Sequence, residues 1–291
     1  MPDHRVTTAS GRVLTVSEGG DPNGAPIVVH AGTPASRLIY PKHDAIAREQ
    51  GVRLITYDRP GYGDSDRHPD RRVVDCVDDV HAIADALGLE KFASWGISGG
   101  GPHVLACAAL CDERLVAVAS LAAVAPYEAD GLDWLQGMGQ DNIDEFGAVL
   151  AGPEELQAYL EDARMHHLEA TPEGMVEVLA SLLGPADRAV LNGDFAQLMV
   201  DSGRLGLRDG VDGWFDDDVA FAEPWGFDLA QISRPVLLYH GDDDLFVPVA
   251  HGHWLAERIP GVDARIDAAD GHLTLYERRV GEAHEWLLTR L

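Results

Sequence analysis

The chain has 291 residues, of which 46% are apolar, and its 49 acidic residues against 22 basic ones give a formal net charge of −27. This length can bury a large core, and the negative charge argues against nucleic acid and anionic membrane surfaces as partners. Residues 126–230 hold 23 Asp and Glu but only four Arg and no Lys. We expect a small-molecule substrate that is neutral or cationic, the alternative being that the acidity serves solubility alone.

The sequence shows no targeting or membrane segment. Residues 1–6 lack the apolar stretch of a signal peptide, and no apolar run is long enough to cross a bilayer.

The chain has three cysteines, Cys76, Cys107 and Cys111, and this odd number favours buried reduced thiols over disulfides. Without metal-ligand spacing or a nucleotide or flavin motif, we expect no metal and no cofactor. The expectation is a cytoplasmic enzyme whose oligomeric state stays open.

The first part of the chain alternates between strand and helix patterns. Short β-branched runs bounded by Gly and Pro, and apolar residues at helical spacing, predict the following elements in order: strands at 13–16, 27–30 and 53–57, a helix over 73–87, a strand at 92–97, a helix over 102–110 and a strand at 115–121. Such alternation predicts an α/β fold, with a mostly parallel sheet and helices on both faces.

The strand pattern stops at Pro126 and resumes near residue 235. Between them, Leu156, Tyr159 and Leu160 typify apolar residues at helical spacing, interrupted by Gly and Pro, which predict a small helical insertion. The pattern then predicts a strand at 235–239, a helix over 249–258, a strand at 264–267 and a helix from Tyr276 to the end. We therefore divide the chain into a first core part (1–125), a helical cap (126–228) and a second core part (229–291).

Ser98 lies in a G-x-S-x-G pattern, residues 96–100, directly after the predicted strand 92–97. This spacing lets a serine occupy a tight strand-to-helix turn, because neighbours without a Cβ leave its hydroxyl in open space. In a glycine-rich chain the pattern can also arise by chance. Its meaning depends on what other residues the chain supplies.

A serine becomes a nucleophile when a base takes its proton and a carboxylate orients that base. Two later turns, each following its own predicted strand, offer such groups: Asp242, Asp243 and Asp244 after strand 235–239, and His272 after strand 264–267. An oxyanion also needs N–H donors. The Gly99 amide follows the serine, and in the loop after strand 27–30 Thr33 is the candidate, since Pro34 has no N–H.

Together these motifs resemble the α/β-hydrolase superfamily, in the branch that carries a helical cap. The matching segments are residues 30–34, 58–65, 96–100, 241–248 and 271–272. The resemblance implies Ser98 as nucleophile, His272 as base and, at three residues after Gly241, Asp244 as the acid. A serine at this position rules out the chemistry of family members that use Asp there. The chain departs from the pattern at Ala31 and Pro60, which leaves the second oxyanion donor open.

The resemblance implies a serine hydrolase that cleaves an ester, lactone or amide through an acyl-enzyme. A second hypothesis is an aminopeptidase resembling proline iminopeptidases, in which acidic cap residues would bind an α-amino group. Against it, residues 93–96 before Ser98 lack the usual lead of that group. A third, from another class, is a cofactor-free lyase or oxidative enzyme, or a ligand-binding protein that does not hydrolyse. The sequence does not identify the substrate.

Overall fold

The computed structural model describes residues 3–291. Its eight strands are β1 (Asp3–Thr7), β2 (Val13–Gly20), β3 (Ala25–His30), β4 (Val52–Tyr57), β5 (Phe92–Ile97), β6 (Leu115–Leu121), β7 (Val236–Gly241) and β8 (Asp263–Asp267). They form one sheet in the order β1-β2-β4-β3-β5-β6-β7-β8. Only the β1–β2 and β2–β4 pairs are antiparallel. The predicted mostly parallel α/β fold is therefore confirmed.

Helices connect the parallel strands and fill the long segment between β6 and β7. They are α1 (Pro41–Gln50), α2 (Cys76–Ala86), α3 (Gly100–Leu110), α4 (Gln140–Ala151), α5 (Pro153–Glu169), α6 (Met175–Val178), α7 (Pro185–Val190), α8 (Gly193–Gly206), α9 (Asp212–Ala222), α10 (Val249–Arg258), α11 (His272–Arg278) and α12 (Val280–Leu288). Short 3₁₀ turns lie at Val73–Asp75 and Leu229–Gln231. Within the described residues, the segment between β6 and β7 contains helices α4–α9 and no strand. The division into core and cap stays a prediction.

The sheet separates two apolar cores. Consecutive strand residues point to opposite faces, so Val28 packs in the core that α2, α3 and α10 cover, while Ile27 packs in the core beneath α1 and α12. Because both faces are covered, the central strands are buried and mostly apolar, as expected of a parallel sheet. The three cysteines are free and buried, as predicted. No helix among residues 3–291 is long and apolar enough to cross a membrane.

Three elements differ from the sequence-based prediction. Strand β1 was not expected, because it is an edge strand in which only Val6 is buried and the apolar pattern is absent. Helix α1 is equally polar, burying only His43 and Ala47. The last predicted helix is two helices, α11 and α12, which meet at Arg279, and α11 begins at His272 rather than at Tyr276. His272 therefore stands at a helix N-terminus.

Candidate active site

Ser98 occupies the turn between β5 and α3 in a left-handed backbone conformation, with φ +53°. A non-glycine residue rarely adopts this φ, and such strain is typical of functional turns. The turn is close-packed, because a Cβ on Gly96 would lie 2.2 Å from the Gly100 oxygen, and one on Gly100 would lie 2.1 Å from the His30 oxygen. The glycines of the pattern thus let the backbone approach closely enough to form the turn.

Asp244 and His272 lie side by side at the carboxyl edge of the sheet. The Nδ1 atom of His272 is 2.8 Å from Asp244 Oδ2. The other carboxylate oxygen of Asp244 accepts the N–H groups of Phe246 and Val247, at 2.9 and 2.8 Å. The Phe246 ring stacks on the imidazole, with 4.5 Å between the ring centroids. Backbone N–H groups of its own turn therefore hold Asp244 in place. Asp244 and the Phe246 ring in turn hold the imidazole of His272.

Asp187 supports His272 from a different part of the chain. This fully buried residue of α7 accepts the backbone N–H groups of His272, Leu273 and Thr274, at 2.9, 2.9 and 3.0 Å, and so caps the N-terminus of α11. Burial disfavours the charged imidazole, but the carboxylates of Asp244 and Asp187 outweigh it and raise the pKa of His272. The short helix that carries Asp187 gave no sequence signal for this role.

Ser98 and His272 line the same cavity. Within the described part of the chain, the Ser98 hydroxyl makes no hydrogen bond and remains available to a ligand. Hydrogen bonds between a nucleophile and its base are often long in ligand-free structures and shorten when substrate binds. Of the three residues selected from the sequence, Ser98 and His272 thus line one cavity, and Asp244 contacts His272.

The predicted oxyanion donors Thr33 and Gly99 lie against each other next to Ser98. A Cβ on Gly99 would be 2.2 Å from Thr33 Oγ1, so only glycine fits there. Among residues 3–291, the backbone N–H groups of Thr33 and Gly99 have no acceptor, and both residues border a cavity that also reaches Ser98. Two free donors next to a serine hydroxyl are the arrangement that an oxyanion requires.

A buried ion cluster holds the Thr33 loop in place. Arg59 donates to the backbone oxygens of Ala31 and Gly32 and, at 2.8 Å, to Thr33 Oγ1. Asp217 of α9 accepts hydrogen bonds from Thr33 Oγ1 at 2.8 Å and from Arg59 and Arg71, both at 2.6 Å. Although Asp217 is completely buried, the two guanidinium groups hold its pKa far below the usual value. The segment between β6 and β7 therefore contacts the Thr33 loop through the carboxylate of Asp217.

Sequence reasoning missed Asp217, since it stands in the run Asp216, Asp217, Asp218, where no spacing distinguishes one acid from the next. Arg59 belongs to a motif that was recognised, residues 58–65, but its contact with the loop depends on the fold. The sequence offered one signal for a buried acid, which is that these three acids stand among apolar residues. A run of exposed acids has no need of apolar neighbours.

Two cavities meet at Ser98. The first, the apolar cavity, has a volume of about 140 Å³ and is lined by Ile39, Tyr40, Trp95, Phe195, Leu198 and Tyr276 among others. The second, the acidic cavity, has about 330 Å³ and is lined by Asp141, Asp144, Glu145, Asp162, Trp214 and Asp218 among others. Thr33, Pro34, Ser98, Met199 and Phe246 border both. A carbonyl carbon at Ser98 would therefore have one space on each side.

Three other buried histidines bond to backbone groups. His103 Nδ1 lies 2.7 Å from the Gly99 oxygen, and His240 Nε2 lies 2.8 Å from the Val247 oxygen. His251 bonds to backbone groups of Ala125 and Trp134. His166 and His167, within the segment 126–228 that is predicted to form the cap, line the acidic cavity. Burial lowers the pKa of His103 to about 4, so it is neutral near pH 7.

Comparison with known proteins places this chain in a family. The sequence model of the alpha/beta hydrolase fold matches residues 25–279. The chain is 29% identical to a non-heme chloroperoxidase from Streptomyces lividans, over 84% of this chain and 83% of that protein. It is 28% identical to a bifunctional esterase/perhydrolase from Acinetobacter calcoaceticus, over the same shares of each chain.

Solved structures agree on the fold. An esterase from Exiguobacterium antarcticum superposes with a TM-score of 0.70 at 21% identity, covering 99% of this chain and 98% of that one. At 21% identity this similarity supports only the shared fold. The family model spans most of the chain, including Ser98, Asp244 and His272. The chain belongs to the α/β-hydrolase fold family.

Proposed function

We propose that this protein is a serine hydrolase that cleaves an ester, lactone or amide bond of a small molecule through an acyl-enzyme. The observation that carries the proposal is the 2.8 Å contact between His272 and Asp244 at the cavity that holds Ser98. The free N–H groups of Thr33 and Gly99 beside that serine support it. Membership of a hydrolase family, and a relative named as a bifunctional esterase/perhydrolase, favour an ester over an amide.

In the proposed reaction His272 Nε2 takes the proton of Ser98, and the serine oxygen forms a bond to the carbonyl carbon. The carbonyl π electrons move to its oxygen, where the amides of Thr33 and Gly99 stabilise the negative charge. Collapse of this intermediate breaks the bond to the leaving group, which takes its proton from His272. Water, deprotonated by His272, then attacks the acyl carbon. The bond from that carbon to Ser98 Oγ breaks, the serine takes the proton back from His272, and the acid is released. Asp244 stabilises the imidazolium in both halves.

The first prediction concerns covalent labelling. Wild-type protein is expected to be labelled by a fluorophosphonate probe, because an activated serine attacks phosphorus as it attacks a carbonyl. Ser98→Ala is expected to abolish labelling and to lower kcat for an aryl ester by about 10⁶-fold. Mass spectrometry of the labelled peptide identifies the site.

Ser10→Ala, which removes an exposed serine far along the chain from the turn, is the matched control and is expected to label normally. A folded wild-type protein that takes no label and turns over no ester would contradict the proposal. Such a result would favour the non-hydrolytic or oxidative alternative, and a relative does carry the name non-heme chloroperoxidase.

The second prediction concerns pH. His272 must be neutral to accept a proton. Because its pKa is raised, the acid limb of the kcat/KM profile is expected at a pH above the usual pKa of histidine. Asp187→Asn removes a negative charge that favours the imidazolium, so the limb is expected to move to lower pH. Glu173→Gln, an exposed acid in the same segment between β6 and β7, is the control and should leave the limb in place. A limb unmoved by Asp187→Asn would show that Asp187 acts only as a helix cap.

A further inference from the structure

We propose that the apolar cavity receives the leaving group of the substrate and that the acidic cavity receives its acyl group. The inference rests on the proposed function and names its substrate class. That class is esters of an uncharged, apolar alcohol of about the size of benzyl alcohol, whose acyl group can be larger than the alcohol. The direction of the ester follows from the position of His272, and the size limit follows from the volumes of the two cavities.

His272 determines which side of the scissile bond faces which cavity. Its Nδ1 atom is bonded to Asp244, so Nε2 is the nitrogen that takes the Ser98 proton and passes it to the leaving group. A group that receives a proton directly must come within about 2.6–3.2 Å of the donor. The leaving oxygen therefore lies on the His272 side of the carbonyl carbon. The acyl group exchanges no proton and extends away from the imidazole.

Only one of the two cavities borders His272. The apolar cavity is lined by His272 together with Leu273 and Tyr276 of the same helix, α11. None of these three residues lines the acidic cavity, which borders Gly99 instead. An ester with its carbonyl carbon at Ser98 would therefore place its alcohol part in the apolar cavity. Its acyl part would enter the acidic cavity.

The wall of the apolar cavity suits an uncharged group. Its described lining contains no Asp, Glu, Lys or Arg. The hydroxyl groups of Ser36 and Ser202 lie 3.1 Å apart and bond to each other, and the side chains of Thr56 and His43 bond to backbone oxygens. Burial lowers the pKa of His43 to about 3, so this residue is neutral near pH 7. A charged occupant would lose its hydration and find no partner here.

The apolar cavity is also small and lined by rings. Its volume of about 140 Å³ is close to that of an engineered cavity of about 150 Å³ that binds benzene. The rings of Tyr40, Phe195 and Tyr276 pack on one another, with centroid distances of 5.5, 5.7 and 6.2 Å, and can contact an aromatic group. Leu54 and Trp95, buried in the core beneath α1 and α12, line it as well. The acidic cavity is more than twice as large, at about 330 Å³.

The test reverses the direction of one ester bond. Methyl 2-naphthylacetate and 2-naphthylmethyl acetate are isomers, but the first carries the naphthyl ring on its acyl side and the second carries it on its alcohol side. Because the larger ring suits only the acidic cavity, wild-type kcat/KM is expected to favour methyl 2-naphthylacetate by about tenfold or more. Each value is divided by the rate constant for hydroxide hydrolysis of the same ester. In the smaller pair, methyl phenylacetate and benzyl acetate, both rings fit and this preference should disappear.

Two leucines of one apolar cluster provide matched variants. Leu198 of α8 lines only the apolar cavity, and Leu179 lines only the acidic cavity. Leu198→Ala adds room for the larger alcohol and is expected to reduce the preference for methyl 2-naphthylacetate about tenfold. Leu179→Ala makes the same truncation on the acyl side and should keep the preference. Leu150→Ala, at a 57% exposed residue outside both cavities, is the surface control, and circular dichroism checks the fold of each variant.

The wild-type comparison needs no variant and can overturn the inference by itself. Equal kcat/KM values for the two naphthyl isomers, or a preference for 2-naphthylmethyl acetate, would overturn it. Turnover of the phenyl esters with neither naphthyl isomer accepted would do the same. A preference that Leu179→Ala removes and Leu198→Ala keeps would reverse the assignment of the two cavities. In all these cases esters are hydrolysed, so the proposed function stands, whereas a protein that hydrolyses none of the four esters and takes no fluorophosphonate label fails both.

Discussion

Asp244→Asn is expected to lower kcat/KM for a neutral ester about 10⁴-fold while leaving the fold intact. The asparagine oxygen can still accept the N–H groups of Phe246 and Val247, so the turn should keep its shape. An amide nevertheless carries no charge to stabilise the imidazolium, and its NH₂ group can favour the wrong tautomer of His272. Steady-state kinetics at saturating and limiting substrate measure the loss, and it should fall mainly on kcat.

The same turn supplies the control. Asp242 is exposed, lies two residues before Asp244 and makes no side-chain hydrogen bond within the described chain. Asp242→Asn therefore removes an identical charge at the same edge of the sheet, and its kcat/KM should stay within about twofold of wild type, as for most surface substitutions. Should Asp242→Asn impair catalysis and Asp244→Asn spare it, the acid would have to be reassigned.

Asp217→Asn is expected to cause the largest loss of stability in this set. Removing one partner of a buried ion pair costs about 3–5 kcal/mol. Here Arg59 and Arg71 would keep their charges in a site with almost no access to water. For a protein of this size we expect Tm to fall by roughly 6–15 °C. Differential scanning calorimetry measures the shift.

Activity should fall as well, because the Thr33 loop loses its hydrogen bond to Asp217 and the ordered contact of Arg59. Loss of one oxyanion donor reduces kcat by about 10²–10³-fold. We expect displacement of the Thr33 amide to reduce kcat by nearly as much. The assay is run well below the Tm of the variant, so that unfolding does not enter. A variant that loses stability and keeps full kcat would show that the cluster joins helix α9 to the core without positioning the donor.

Asp212→Asn on the same helix is the matched control. Asp212 pairs with Arg67 at 2.8 Å, but the two side chains are 53% and 36% exposed. A solvated pair of this kind contributes about 0–1 kcal/mol. The difference in Tm between the two variants thus measures how much burial increases the contribution of an ion pair on this helix to stability.

The local sequence patterns were sufficient to predict the core strands and turns, because each pattern depends on residues that are close together in the chain. Gly96 and Gly100 leave space for the Ser98 turn, and the glycine-rich turns after the predicted strands 235–239 and 264–267 mark where Asp244 and His272 stand. Strand β1 and helix α1 escaped prediction for the opposite reason, since they bury too few apolar residues to show a period. The start of α11 at His272 escaped as well, because its cap is the carboxylate of Asp187, 85 residues earlier in the chain.

The sequence by itself determined the fold class, the order of the candidate nucleophile, acid and base, and the negative charge of the segment after residue 126. These features follow from short-range sterics, periodicity and composition. Only the tertiary structure decided which acids matter, because Asp216, Asp217 and Asp218 are equivalent as sequence letters. Packing places Asp217 between two guanidinium groups and Asp218 beside the carboxyl group of Glu145. The free energy of a charge depends on its neighbours in space, and those neighbours come from distant parts of the chain.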